Sequence, residues 1–242
     1  MIFQDPLFWL FALPGLLLGM YAQSRIKSNF ARYSEVGMPG GITGAQVAQA
    51  LLRSQGLNNV QVEETAGALT DHYDPSKKVL RLSQPVYHVP SVAAAGVAAH
   101  ETGHALQDAS HYFPMNVRSA IVPAVKFGST LGPWVFIAGF LLGIVELAWL
   151  GVILFGLSTL FALVTLPVEF DASNRAKRLL VEQGIIQDEA ARKAVNDVLG
   201  AAAWTYVAGA VSSIGTLLYY VFLLSSSGQR RRSNLSLTNN ER

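Results

Sequence analysis

The chain has 242 residues, of which 51% are hydrophobic and 14% charged, with a formal charge of +2 and no cysteine. A soluble domain carries about 25% charged residues, so the shortfall, gathered into long apolar runs, points to an integral membrane protein with a mean hydropathy of +0.32. The small net charge and the lack of a basic–aromatic repeat exclude a nucleic-acid partner. The absence of cysteine excludes disulfides, iron–sulfur clusters and thiolate metal sites, leaving His, Asp and Glu to hold any metal.

In chain order, residues 7–22 form the first apolar run, slightly short of the roughly 20 residues that cross a bilayer. Asp5 precedes it and no Lys or Arg does, whereas a signal peptide starts basic. Residues 1–22 therefore read as an uncleaved transmembrane anchor. Residues 23–125 are polar enough for a membrane-attached domain. Within it, 43–56 reads as a helix, because Thr43 and Gln46 have the spacing of a capping box and Val47, Ala50 and Leu51 follow at helical intervals. Asn59–Glu63 alternates like a strand. Leu69–Tyr73 and Val79–Ser83 flank the turn sequence Asp74-Pro75-Ser76-Lys77-Lys78 and predict a short antiparallel hairpin. Val79–Ser83 is expected at the sheet edge, where it could pair with an extended peptide.

The stretch Ser91–His111 is Ala-rich, contains no proline and carries His100-Glu101-Thr102-Gly103-His104. Residues four apart stand one above the other on a helix, so His100 and His104 can share one metal ion. Glu101 lies beside them within reach of a water at that ion. Two imidazoles and a carboxylate in this order are the pattern of a zinc peptidase, with the carboxylate as general base. The bland alternative is a packed helix with two unrelated histidines.

Beyond it, 126–167 reads as a transmembrane hairpin turning near Gly143–Ala148, with Glu146, its one acidic residue before the exit, at the turn. Residues 168–200 read as a charged helical segment with a break at Gln183-Gly184. Residues 201–224 form the last span, in which Gly209/Ser213 and Ala208/Ser212 are small pairs suited to close helix contact. Residues 225–242, with Arg230-Arg231-Arg232, read as a disordered tail. Four spans leave 23–125 and 168–200 on the same side. The fold class is thus a mainly α membrane protein of four transmembrane helices with a small α+β part.

A catalytic zinc takes three protein ligands and keeps one position open. Glu169 emerges beside the end of the hairpin, with Asp171 two residues on, and both read equally well as charges at a helix end. His72, His88 and His111 are rival ligands.

Four segments carry a likeness to a known family: Leu69-Thr-Asp-His-Tyr-Asp-Pro75, Val79-Leu-Arg-Leu-Ser83, Ala98-Ala-His-Glu-Thr-Gly-His-Ala-Leu-Gln107 and Leu166-Pro-Val-Glu-Phe-Asp-Ala-Ser173. Through them the chain resembles the YugP-like neutral zinc metallopeptidases of bacterial membranes, over most of its length, and more distantly the HtpX-type and CAAX-processing membrane proteases. The resemblance implies a zincin-like catalytic domain in 23–125 and a Zn²⁺ cofactor on His100, His104 and Glu169. It implies Glu101 as the base in hydrolysis of protein or peptide substrates, in quality control or peptide processing. Glu169 resembles the glutamate of the Glu-x-x-x-Asp pattern in the wider relatives. Ser173 stands where that pattern has Asp, and Asp171 is the substitute expected to accept a hydrogen bond from a ligand imidazole. His72, Tyr73, His111 and Tyr112 are the candidate oxyanion donors.

Arg25, Lys27, Arg32, Arg118, Lys126, Arg175, Lys177 and Arg178 lie near span ends on the catalytic side. By the positive-inside rule they place that side in the cytoplasm of a multi-pass protein of the bacterial inner membrane, with Arg230–Arg232 counting against. The competing classes are a non-enzymatic membrane scaffold and a zinc-dependent signalling sensor. A transporter has little to recommend it with so few intramembrane charges.

Overall fold

The computed structural model describes the backbone of residues 5–239 and the side chains of residues 5–226. Its elements run α1 (Pro6–Ser34), α2 (Gly44–Ser54), β1 (Gln61–Thr65), β2 (His72–Asp74), β3 (Val79–Ser83), a single turn α3 (Gln84–Tyr87), α4 (Val92–Ala109), α5 (Phe113–Leu142), α6 (Val145–Glu182) and α7 (Glu189–Asn239). Four helices, α1, α5, α6 and α7, are long and apolar enough to cross a membrane. The mainly α architecture with a small sheet agrees with the sequence. The expected disordered tail lies, from residue 227 on, outside the described side chains.

The chain forms two compact units. The first comprises Met1–Leu18, Arg118–Leu163 and Ala208–Arg242. Leu10, Phe127, Trp134, Leu141 and Ile153 are exposed on it, as befits helices meant to be solvated by lipid. Inside, Phe136 stacks on Tyr220 with ring centroids 4.0 Å apart, and the Tyr219 hydroxyl donates to Asp5. In lipid no hydrophobic force drives helices together, so close approach and hydrogen bonds must hold them. Ser212 lies against the backbone of Gly15, and Ser213 hydrogen-bonds Thr159 at 2.8 Å. Of the small pairs read from the sequence, these two serines make contacts, while Gly209 faces open space. The hairpin turns at Gly143, whose φ of 71° suits glycine, and Glu146 falls in the first turn of α6.

The second unit comprises Gly19–Val117 and Val164–Val207. The capping box of Thr43 and Gln46 opens α2 as expected. The three-stranded sheet has the order β1-β3-β2. β2 and β3 pair antiparallel, with His72 opposite Arg81, and β1 pairs parallel to the other side of β3, with Gln61 opposite Val79. Val79–Ser83 is therefore the central strand, which overturns its reading as an edge. The burial of Val79, Leu80, Leu82 and Ser83 explains why: the strand is covered on both faces, so its sequence is nearly continuous in apolar residues rather than alternating. β2 is also shorter than the stretch from Leu69, because Leu69 takes a positive φ of 57° and Asp71 turns its carboxylate onto the amide and hydroxyl of Ser83.

Ser91 caps α4 by accepting from the amide of Ala94. α4 is buried along most of its length, from Val92 to Gln107, because its Ala and Gly residues let neighbours approach from every side. α5 starts at Phe113, well before its apolar run. α6 is continuous from the hairpin through Glu182, so the segment carrying Glu169 is an extension of a candidate span and not a separate helix. Gly184, at φ 66°, ends the turn that follows, and the Asp188 carboxylate caps the start of α7. α7 likewise merges the charged stretch and the last span in one helix.

Candidate metal centre

α4 places His100 and His104 one helical turn apart, with ring centroids 4.8 Å from each other and planes at 84°. α6 supplies the third group. A Cβ on Gly103 would lie 2.5 Å from the carbonyl oxygen of Ala172, so the absence of a side chain there lets α6 cross α4 at backbone contact. Glu169 and Ser173, three residues before Ala172 and one after it, are thereby brought over the two histidines.

The result is a buried cluster. Glu169 Oε2 lies 3.2 Å from His100 Nε2 and 3.5 Å from His104 Nε2, and the three donor atoms all fall within 4.8 Å of one another. Bonds of about 2.0–2.1 Å to a tetrahedral zinc put ligand atoms about 3.3–3.4 Å apart, so two of the three spacings already match such an ion. The donor set fits as well: two imidazole nitrogens and a carboxylate oxygen are the ligands a catalytic zinc takes where thiolates are lacking. Among the described residues this is the one group of three or more such side chains arranged to hold a metal.

Both imidazoles are held from behind by their other nitrogen. His100 Nδ1 lies 3.1 Å from Ser173 Oγ and His104 Nδ1 lies 3.0 Å from Gln107 Oε1. Ser173 thus occupies the place of the aspartate in the Glu-x-x-x-Asp pattern. Asp171 does not touch an imidazole, contrary to expectation. On a helix it points away from the face shared by Glu169 and Ser173, and its Oδ2 accepts instead from Gln107 Nε2 at 2.9 Å and Arg175 Nε at 2.6 Å. Gln107 and Ser173 went unassigned in the sequence, although each sits at a telling interval, three residues after His104 and four after Glu169.

Glu101 is buried beside the cluster. Burial pushes its carboxyl above the usual carboxylate range, the two imidazoles pull it back, and the charges of Glu169 and Asp71 push it up again. His104 is raised as well: burial opposes its protonation, but the carboxylates of Glu169 and Glu101 outweigh it.

His72 is exposed on β2 with Nδ1 donating to the Thr70 carbonyl. His88 is exposed and paired with Glu64. His111 is exposed past the end of α4, at φ 51°. The Tyr73 hydroxyl donates to Asp108 at 2.7 Å, and burial together with that carboxylate raises its pKa. Tyr112 packs its ring under the Arg175 guanidinium. None of the three rival histidines joins the metal cluster.

The sequence model of a family described as "Putative neutral zinc metallopeptidase" matches residues 8–225. Among curated proteins, "Putative membrane protease YugP" of Bacillus subtilis (strain 168) is 46% identical over 217 residues, which is 90% of this chain and 96% of that protein. No solved structure matches the chain significantly.

Proposed function

The chain belongs to the neutral zinc metallopeptidase family, and from that premise we propose that it is a membrane-embedded, zinc-dependent endopeptidase whose metal is held by His100, His104 and Glu169. The observation that carries this reading is the buried convergence of those three side chains, with Glu101 one residue along the same helix. When bound, zinc supplies Lewis acidity, bringing the pKa of water toward about 7 and polarising a carbonyl group.

The residues divide the remaining work. The Glu101 carboxylate accepts a proton from the attacking water and hands it to the nitrogen of the leaving amine as the peptide bond breaks. Ser173 and Gln107 orient the imidazoles. With β3 central, the free edge nearest the metal helix belongs to β2, which is tied to α4 through Tyr73 and Asp108. An extended substrate would pair there by main-chain hydrogen bonds. His72, Tyr73, His111 and Tyr112 remain the pool from which an oxyanion donor would be drawn.

The basic residues flanking the spans support a cytoplasmic catalytic side in the bacterial inner membrane. Substrates reached from there would be misfolded membrane proteins or peptides released at the bilayer surface, so the physiological role would be quality control or peptide processing. The test is zinc content and casein hydrolysis by the purified full-length protein, with and without a chelator, beside His104→Ala. Wild type should hold about one zinc per chain and lose hydrolysis on chelation, and the variant should lack both. A metal-free, inert wild type would leave the scaffold alternative.

A further inference from the structure

Gln107 is fully buried, and all of its side-chain hydrogen-bonding groups are used in one arrangement. Its amide nitrogen donates one proton to the Val168 carbonyl at 2.7 Å and the other to Asp171 Oδ2 at 2.9 Å. Both partners can only accept, since one is a main-chain carbonyl and the other a carboxylate. Turning the amide over would set its oxygen against two oxygens, so the orientation is fixed by chemistry. Oε1 is then the atom that faces His104 Nδ1, 3.0 Å away. An amide oxygen cannot donate, so Nδ1 must carry the proton.

From this we infer that Asp171 and Gln107 form a positioning relay that fixes His104 with Nδ1 protonated and Nε2 turned toward the metal position, Asp171 acting on the imidazole through Gln107 alone. The inference rests on the proposed zinc site. The relay continues outward: Arg175 Nε donates to Asp171 Oδ2 at 2.6 Å, and its guanidinium lies over the Tyr112 ring at 5.6 Å. These contacts hold the carboxylate facing the amide. The other imidazole has no such lock. Ser173 Oγ, opposite His100 Nδ1, can donate or accept, so the site depends on Gln107 to preset one ligand before an ion arrives. A ring angle already set, with Nδ1 committed to the amide oxygen, spares the ion that reorganisation, which is why groups behind a ligand imidazole are commonly worth about 10–100-fold in metal affinity.

The experiment is zinc affinity of the full-length protein in detergent, by competition against a chromophoric chelator, with the melting temperature of each chelator-stripped protein measured alongside. Gln107→Leu should weaken zinc binding about 10–100-fold and Asp171→Ala about 3–10-fold. The double variant should be no weaker than Gln107→Leu, because Asp171 has no other route to His104. Asp171→Asn, which keeps an acceptor for the Gln107 amide, should stay closer to wild type than Asp171→Ala. Unchanged affinity in Asp171→Ala, a double variant whose loss is the product of the two singles, or an Asn variant as weak as the Ala one would each overturn the relay. So would a lowered metal-free melting temperature with unchanged affinity, the mark of a purely structural role. If Gln107→Leu does not fold, the two Asp171 variants decide. A wild type that binds no zinc overturns the site itself, whereas tight wild-type binding with insensitive variants overturns the relay alone.

Discussion

Gly103 and Ala172 meet backbone to backbone: a Cβ on the glycine would fall 2.5 Å from the alanine carbonyl oxygen and 3.1 Å from its Cα. The neighbour is main chain and cannot swing aside, so Gly103→Ala must push α6 away from α4. The displacement acts directly on Glu169, one turn from the contact. The expected outcome is a loss of about 1–3 kcal/mol of stability, the usual cost of overpacking, together with weaker zinc binding. Thermal unfolding and zinc titration of the variant check this, and a variant indistinguishable from wild type in both would show that the helices can part freely.

Glu101→Gln keeps the size of the side chain and removes its ability to take a proton. Zinc content should remain near wild type, because Glu101 is not among the three clustered donors. Peptide hydrolysis should fall by about 10²–10⁴-fold, the range general-base catalysis supplies. Measuring metal and activity on one preparation separates the two roles, and retained hydrolysis would remove Glu101 as the base.

Much of this was legible in the chain because the signals were local. The spacing of His100, Glu101 and His104 and the apolar runs each follow from periodicity within one element, as does the Thr43–Gln46 cap. What escaped was set between elements. The central place of β3 depends on β1 arriving in parallel, which no pattern within Val79–Ser83 announces except its nearly continuous apolar character. Asp171 drew attention as a carboxylate near Glu169, but helical geometry sends it to Gln107 and gives Ser173 the imidazole. A charge is conspicuous in a sequence, while a serine or glutamine at the right interval is not.

Ser173 therefore makes its own prediction. Its hydroxyl is the partner of His100 Nδ1 at 3.1 Å, and the residue is buried. Ser173→Ala leaves that nitrogen without this partner in a site closed to most water, so His100 should lose orientation. Zinc affinity should drop about tenfold, at the low end for such partners because a hydroxyl holds an imidazole less firmly than a carboxylate does. Competition titration reads the change directly. An affinity equal to wild type would mean that packing, and not the hydroxyl, fixes the ring.

Asp71 is not among the three clustered donors, though its charge reaches Glu101, and it supplies a pH signature of its own. Burial raises its pKa above that of a free aspartate, although the amide and hydroxyl of Ser83 pull the other way. A carboxyl whose folded pKa exceeds its unfolded one binds its proton more tightly when folded. Its contribution to stability is thus full below the unfolded value of 3.8 and is lost as pH rises through the folded value. Asp71→Asn removes the titration while keeping an acceptor for Ser83. The melting temperature of the variant relative to wild type should therefore shift in the variant's favour between about pH 4 and pH 7. A shift in the opposite sense would mean that the Ser83 hydrogen bonds outweigh burial and hold the carboxylate charged.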